Sequence, residues 1–388
     1  MGCTMRKRDD HHWVGTWTTA PVPLDGIALA GQTLRMISRI SIGGSRLRVR
    51  ISNAYGARDL AVGAAHLGLQ SEGASIVAGS GRPLTFNGFP STTIPAGALV
   101  VSDPVDLDVA PLTDVAVSVY LPREVPENFQ LTGHDPSHQT NYISLAGDFA
   151  SAADMPVKEE TEVFLFVTGI EVLAAREAGG IVAFGDSLTE GNISRLDANN
   201  RWPDQLARRL VARQSGRQLG VVNQGTGGGR LLHDGHGDSG LRRFDRDVLA
   251  QPGVTHVVVL LGVNDLRNSQ GRAEEVVTAD DLIGGLHQLA VRAHAAGLTA
   301  FAGTVMTWEN ETFNGGHYTP EAEAKRQALN TWIRDNGVFD AVIDFEAALR
   351  DPAHPTRMLP RWDSSDHLHP NDLGYRRMAD TIDLTLFG

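Results

Sequence analysis

Ser187 closes the stretch Ile181-Val182-Ala183-Phe184-Gly185-Asp186-Ser187, where an apolar run stops at Gly185 and gives way to small polar residues. A helix-compatible segment, Trp202 to Arg213, follows. The pattern predicts a buried strand, a tight turn and a helix. A serine there sits on the face where open α/β sheets bind ligands, close to backbone N–H groups that favour developing negative charge. Ser and Asp are also ordinary turn and cap residues. A nucleophilic reading of Ser187 therefore needs a base, a partner for that base and oxyanion donors elsewhere in the chain.

The base candidate is His369, in Asp366-His367-Leu368-His369-Pro370 just ahead of a final helical segment. Three-residue spacing puts the Asp366 carboxylate and the His369 imidazole on one side of a turn. The carboxylate then holds one ring nitrogen while the other accepts the serine proton. His367 competes as base but lies adjacent to Asp366, and is read as a surface or supporting residue. Asp363 is a second acid candidate, at a less natural six-residue separation. For the oxyanion, Gly262-Val263-Asn264-Asp265 follows an apolar run, and the Asn264 side-chain amide is a donor. Asn223-Gln224-Gly225-Thr226-Gly227-Gly228-Gly229-Arg230 follows another, and its glycines allow backbone N–H groups a close approach. It lacks the Lys-Ser/Thr ending of a nucleotide-binding loop.

Other polar clusters carry weaker signals. His233-Asp234-Gly235-His236-Gly237-Asp238 has spacing for two metal ligands but no full ligand set, so it reads as a cleft rim and no metal is expected. Asp186 reads as a cap or loop brace. Trp308, His317 and Tyr318 follow a predicted strand on the active face, as pocket shapers or sheet cover. Gly133-His134-Asp135-Pro136-Ser137-His138 lies far upstream, and the sequence does not set whether it reaches the cleft.

Two kinds of patterning must position these residues. From Trp13 to Ala174 the apolar residues alternate: Leu34 and Met36; Leu47, Val49 and Ile51 against Arg46, Arg48 and Arg50; Val115, Val117, Val119 and Leu121. Phe164 to Thr168 reads as one strand buried on both faces. Turn signals such as Gly43-Gly44, Asn53-Ala54-Tyr55-Gly56 and Asn87-Gly88 separate the runs, which predicts an antiparallel β-sandwich without helices. From Gly180 onward, strands at Ile181–Phe184, Leu219–Asn223, His256–Leu261, Thr299–Val305 and Ala341–Phe345 alternate with helices. The helices are expected at Trp202–Arg213, Gly240–Ala250, Ala279–Ala296, Pro320–Asn336 and Asn371–Leu386. That order predicts a parallel five-stranded sheet covered on both faces. The expected organisation is a disordered or non-native start at 1–12, a β-sandwich at 13–174 and an α/β domain at 180–388.

At 388 residues the chain suits two domains. Its 46 acidic against 34 basic residues give a formal charge of −12, and no basic tract interrupts that balance. Nucleic acid and anionic membrane are excluded as expected partners. Cys3 is the only cysteine, so no internal disulfide forms. The first residues are basic but lack an apolar run behind them, and no stretch approaches a membrane span. As it stands the chain reads as cytoplasmic, or as secreted if a leader has been removed. The oligomeric state is not set by the sequence.

The four blocks, in this order, resemble the SGNH (GDSL) hydrolase superfamily. Gly185-Asp186-Ser187-Leu188, Gly262-x-Asn264-Asp265 and Asp366-x-x-His369-Pro370 match its first, third and fifth motifs. The family's glycine usually falls five residues after the asparagine ending the second strand, which indicates Gly228, with Gly227 and Gly225 as alternatives. Trp13-Val14-Gly15-Thr16-Trp17 and Arg243-Phe244-Asp245-Arg246-Asp247 further resemble bacterial two-domain esterases with an N-terminal β-sandwich. The resemblance implies a three-layer, flavodoxin-like domain and a Ser187–His369–Asp366 triad. It also implies an oxyanion hole of the Ser187 and Gly228 N–H groups with the Asn264 side chain, and no cofactor. The implied activity is hydrolysis of short-chain acyl esters, deacetylation of a sugar or polysaccharide being the leading expectation. A general carboxylesterase, arylesterase or lipase-like enzyme is the alternative. A carbohydrate-binding protein with an inert hydrolase domain is the reading from another class.

Overall fold

The computed structural model describes residues 10–213, 216–268, 271–335 and 337–388. The expectation for the start of the chain thus falls largely outside the described residues, as do Cys3 and the last residue of the helix expected at Pro320–Asn336. From His11 the chain is already in a strand, His11–Thr18.

The first half is all β up to the strand Val167–Ala175. One antiparallel sheet sets Gln32–Arg39 beside Asp114–Leu121, with Ala64–Leu69 and Asn141–Ala146 outside them. A second carries His11–Thr18, Val167–Ala175 and Gly44–Ser52 side by side. Leu47, Val49 and Ile51 are fully buried between the sheets with Leu34, Met36, Val115, Val117 and Val119. On the opposite face of Gly44–Ser52, Arg48 and Arg50 both close on the buried Glu171 at 2.5 Å, so two cations hold one buried carboxylate. The stretch from Phe164 is not the single strand expected. Phe164–Leu165 belongs to a small third sheet with Leu131–His134 and Val22–Leu24. Phe166 then takes a left-handed φ of 61°, and Val167 starts the strand of a different sheet. Alternation cannot reveal this switch, because the residues on both sides of it are buried.

The second half is a parallel sheet ordered Leu219–Gly225, Gly179–Gly185, Val254–Leu260, Thr299–Gly303, Ala341–Ile343. In chain order this is 2-1-3-4-5, the flavodoxin-like arrangement, whose ligand crevice opens where the order reverses around the first strand. Helices Trp202–Ala212, Ala279–Ala295, Pro320–Asp335 and Asp372–Thr381 cover it. The helix expected at Gly240–Ala250 changes character midway: Gly240–Phe244 is α and Asp245–Leu249 is π-helical. No helix among the described residues is long and apolar enough to cross a membrane.

The two halves are bonded to each other along the edge strand Leu219–Gly225. The Val221 N–H donates to Ser41 Oγ at 3.0 Å, and Gln224 Nε2 donates to Thr18 Oγ1 at 2.6 Å. Gly15 donates to the Pro252 carbonyl at 3.0 Å. A Cβ on Gly220 would stand 2.2 Å from the Gly15 carbonyl oxygen, so a side chain is excluded there. An exposed sheet edge invites mispairing, and here the β half covers it.

Candidate active site

Ser187 opens a single-turn helix, Ser187–Glu190, directly after the first parallel strand. Gly185 permits this turn: a Cβ there would meet Thr189 Oγ1 at 2.1 Å and the Leu260 carbonyl oxygen at 2.8 Å. Asp186 is the N-cap, accepting the Leu188 N–H at 3.0 Å, and Gly191 ends the turn with φ 97°. Burial drives the Asp186 carboxyl up to about 7, against the pull of the Leu188 N–H. Behind the turn, the buried Arg243 guanidinium donates to the Gly185 and Gln224 carbonyls at 2.6 and 2.8 Å, tying the ends of the first two strands together.

His369 is fully buried and reaches Ser187 Oγ through Nε2 at 2.9 Å. Its Nδ1 lies 2.6 Å from Asp366 Oδ2. The other carboxylate oxygen of Asp366 accepts the N–H groups of His369 and Leu368 and the Ser364 hydroxyl, at 2.8 to 2.9 Å. Burial alone would raise this carboxyl. The hydrogen bond and charge of His369, with those backbone N–H groups, outweigh it and hold Asp366 well below the usual carboxylate range. Phe313 packs edge-on against the His369 ring, centroids 5.1 Å apart. The competing residues form a separate pair: His367 Nδ1 lies 2.5 Å from Asp363 Oδ2, with the His367 side chain 45% exposed and that of Asp363 7%.

Asn264 comes from the turn after the third strand, on the short helix Val263–Leu266. Its Nδ2 donates to the Gly229 carbonyl at 3.0 Å, and its Oδ1 accepts from Arg267 Nη1 at 3.0 Å. Both contacts fix the same amide orientation and leave one Nδ2 proton free to donate. The three candidate glycines separate by what their N–H groups do. Gly225 donates to Asn223 Oδ1 at 2.9 Å and Gly227 to Glu190 Oε1 at 2.8 Å. Gly228, at φ 64°, makes no such bond among the described residues, and neither does the Ser187 N–H.

Ser187, His369, Gly228 and Asn264 line one cavity of about 300 Å³. The β half supplies part of its wall through Val22, Pro23, Leu24, Asp135 and Pro136, so the upstream His-Asp-Pro segment reaches the cleft. His236 and His317 also line it, while Trp308 is buried in the core with Tyr318 at its edge. Among the described residues no group of three or more His, Cys, Asp or Glu could hold a metal ion.

Three residues of this site, Arg267, Glu311 and Glu190, escape a sequence reading, and the part of a fourth, His134, is not set by it. Arg267 orients Asn264 and is itself held 2.6 Å from the buried Glu311. Glu190 holds Gly227, and His134 stands against Glu190 at 3.2 Å. Arg267 and Glu190 each lie one turn beyond a motif residue, a spacing that marks them as neighbours but not as partners. Glu311 carries no local signal at all, and for His134 the sequence marks the polar segment Gly133–His138 but not the partner.

Residues 181–382 match the family model for the GDSL-like lipase/acylhydrolase. No curated protein matches the chain. Among solved structures, it is similar to a putative arylesterase from Agrobacterium tumefaciens at 19% identity, covering 54% of this chain and 98% of that one with a TM-score of 0.40. The native aryl esterase of M. smegmatis matches at 16% identity over 52% and 95%, TM-score 0.42. Est24, a carbohydrate acetylesterase from Sinorhizobium meliloti, matches at 16% identity over 52% and 94%, TM-score 0.41.

Proposed function

The chain belongs to the GDSL-like lipase/acylhydrolase family, and from that premise we propose that it is a serine esterase whose nucleophile is Ser187. His369 takes the hydroxyl proton as Ser187 Oγ attacks the ester carbonyl, and Asp366 keeps the ring oriented and stabilises the imidazolium. The tetrahedral oxyanion is met by the N–H groups of Ser187 and Gly228 and by the free Asn264 Nδ2 proton. His369 then protonates the leaving alcohol, and water activated by the same ring cleaves the acyl-enzyme. No cofactor enters these steps. The observation that carries the reading is the relay of 2.9 Å from Ser187 Oγ to His369 and 2.6 Å from His369 to Asp366, opening on the cavity where the unengaged N–H groups gather.

The substrate we propose is a short acyl ester, with acetyl on a sugar or polysaccharide as the leading case. A cavity of about 300 Å³ suits a small acyl group, and Asp135, Asn192, Asn314 and His317 on its walls suit a hydroxyl-rich alcohol. Val22, Leu24, Phe313 and Leu368 on the same walls favour the second reading, a general short-chain carboxylesterase or arylesterase. An inert carbohydrate binder would have no need of the intact relay. We also propose that 13–174 and 180–388 are the two domains. The test is hydrolysis of p-nitrophenyl acetate by wild type and Ser187→Ala, followed by a panel of acyl lengths and acetylated sugars. Wild-type turnover that survives in Ser187→Ala removes Ser187 as nucleophile. A preference for long acyl chains removes the acetyl reading.

A further inference from the structure

We infer that the β half completes the oxyanion site through His134, a positioning residue that acts on the glycine loop by way of Glu190. The inference rests on the serine-esterase reading above and goes beyond it by giving the N-terminal half a part in the chemical step.

Glu190 ends the same single helical turn that Ser187 begins, and it is 3% exposed. Its Oε1 accepts the Gly227 N–H at 2.8 Å, and Gly227 directly precedes Gly228, which lines the cavity and whose N–H makes no hydrogen bond among the described residues. The loop is shaped around this residue. A Cβ on Gly225 would lie 2.1 Å from the Glu190 backbone nitrogen, and one on Gly227 would lie 3.0 Å from Oε2. One carboxylate therefore sets where the Gly228 N–H points, relative to a nucleophile one turn away on its own helix.

A buried carboxylate holds a fixed place only if something holds it. His134 does so from the opposite side. Its Nδ1 lies 2.8 Å from the Ala20 carbonyl, which only accepts, so Nδ1 carries a proton. Its Nε2 lies 3.2 Å from Glu190 Oε1, and both side chains are almost fully buried. Oε1 already accepts the Gly227 N–H, so the partner that suits it at this distance is a donor at Nε2, a contact across the two halves. His134 ends the strand Leu131–His134, which pairs with Val22–Leu24, the strand that walls the cleft. The β half thus carries both a wall of the cavity and the anchor of the loop that meets the oxyanion.

Asn and Gln at position 134 separate this role from simple packing. The Asn amide matches the position of Nδ1 and keeps the contact to Ala20, whereas the Gln amide extends to the position of Nε2 and keeps the donor to Glu190. In the full chain, His134→Asn should lower kcat on p-nitrophenyl acetate by about 10- to 100-fold with KM within about twofold, the range for a donor displaced but not removed. The affinity for a trifluoromethyl ketone, which forms a tetrahedral adduct, should fall by the same factor as kcat/KM. His134→Gln should recover most of both. Wild-type kcat in a folded His134→Asn, or equal losses in Asn and Gln, overturns the inference. Ser187→Ala, run alongside, reports on the serine reading separately: if only that variant loses turnover, the esterase stands and the His134 role falls.

Discussion

Replacing Asn264 with alanine should cost catalysis and stability in separable amounts. The side chain is 2% exposed and makes two bonds, to the Gly229 carbonyl and from Arg267 Nη1. Truncation strips both partners. Leaving a buried polar group unpaired costs ~1–3 kcal/mol, but Arg267 borders the cavity and also holds Glu311, so water and the ion pair offset part of its loss. A net destabilisation of about 2 kcal/mol follows, a fall in Tm of several degrees for a domain of this size. The kinetic term is larger. The free Nδ2 proton is proposed to meet charge that exists only once the carbonyl is tetrahedral, so its removal acts on kcat and spares ground-state binding. One such donor is worth ~10²–10³ in kcat. The backbone donors of Ser187 and Gly228 remain, so activity should stay above the Ser187→Ala background. The assay is steady-state hydrolysis of p-nitrophenyl acetate at a temperature where melting curves show the variant folded. A folded variant with wild-type kcat, whatever its Tm, would refute the oxyanion role of Asn264.

Two further expectations concern the glycine loop and pH. Gly225→Ala should prevent folding, because the new Cβ meets backbone at 2.1 Å, whereas Gly228→Ala meets the exposed His236 ring, which can move; circular dichroism should show the second folded but with depressed kcat. Asp186 is raised from 3.8 to about 7 by burial, so the folded state holds a proton that the unfolded state releases. The stability this contributes is present below pH ~4 and lost as pH rises to ~7, a span on the order of 4 kcal/mol. Denaturant unfolding of Asp186→Asn should show its stability rising relative to wild type across that window and level above it; a constant difference contradicts the assignment.

What the sequence makes legible here is what lies close along the chain. Asp366 and His369 are three residues apart, and their spacing alone predicts that the carboxylate meets the ring. The alternation of Leu47, Val49 and Ile51 with arginines predicts one buried and one polar face, and the strand Gly44–Ser52 has both. The split at Phe166 is invisible because a change of sheet between two buried segments leaves the parity of apolar residues intact. The single-turn helices Ser187–Glu190, Val263–Leu266 and Phe345–Leu349 are shorter than the period that would betray them. Gly225, Gly227 and Gly228 are indistinguishable as letters. They differ only in what stands opposite each, and Glu190 and His236 come from other parts of the chain. His134 and Glu190, 56 positions apart, meet only because the β half docks where it does.

Only Arg176, Glu177 and Ala178 separate the strand Val167–Ala175 of the β half from the first strand of the parallel sheet. Such a join leaves little slack for one half to swing from the other, and the bonds to Ser41 and Thr18 and from Gly15 hold the two together. Lipases that respond to an oil surface do so by lifting a covering segment, a motion that needs a hinge. Here the part of the wall that the β half supplies includes Val22–Leu24, a strand of a packed sheet, so that side of the doorway has no hinge of its own. For the proposed esterase, dissolved and emulsified ester should therefore meet the same opening, and the rate should follow the concentration of free molecules without a step where droplets form. The expected selection is that of a gauge on one side: Leu24 and Pro136 should limit what reaches Ser187, and a larger substrate should offer only the acyl group that protrudes far enough to enter.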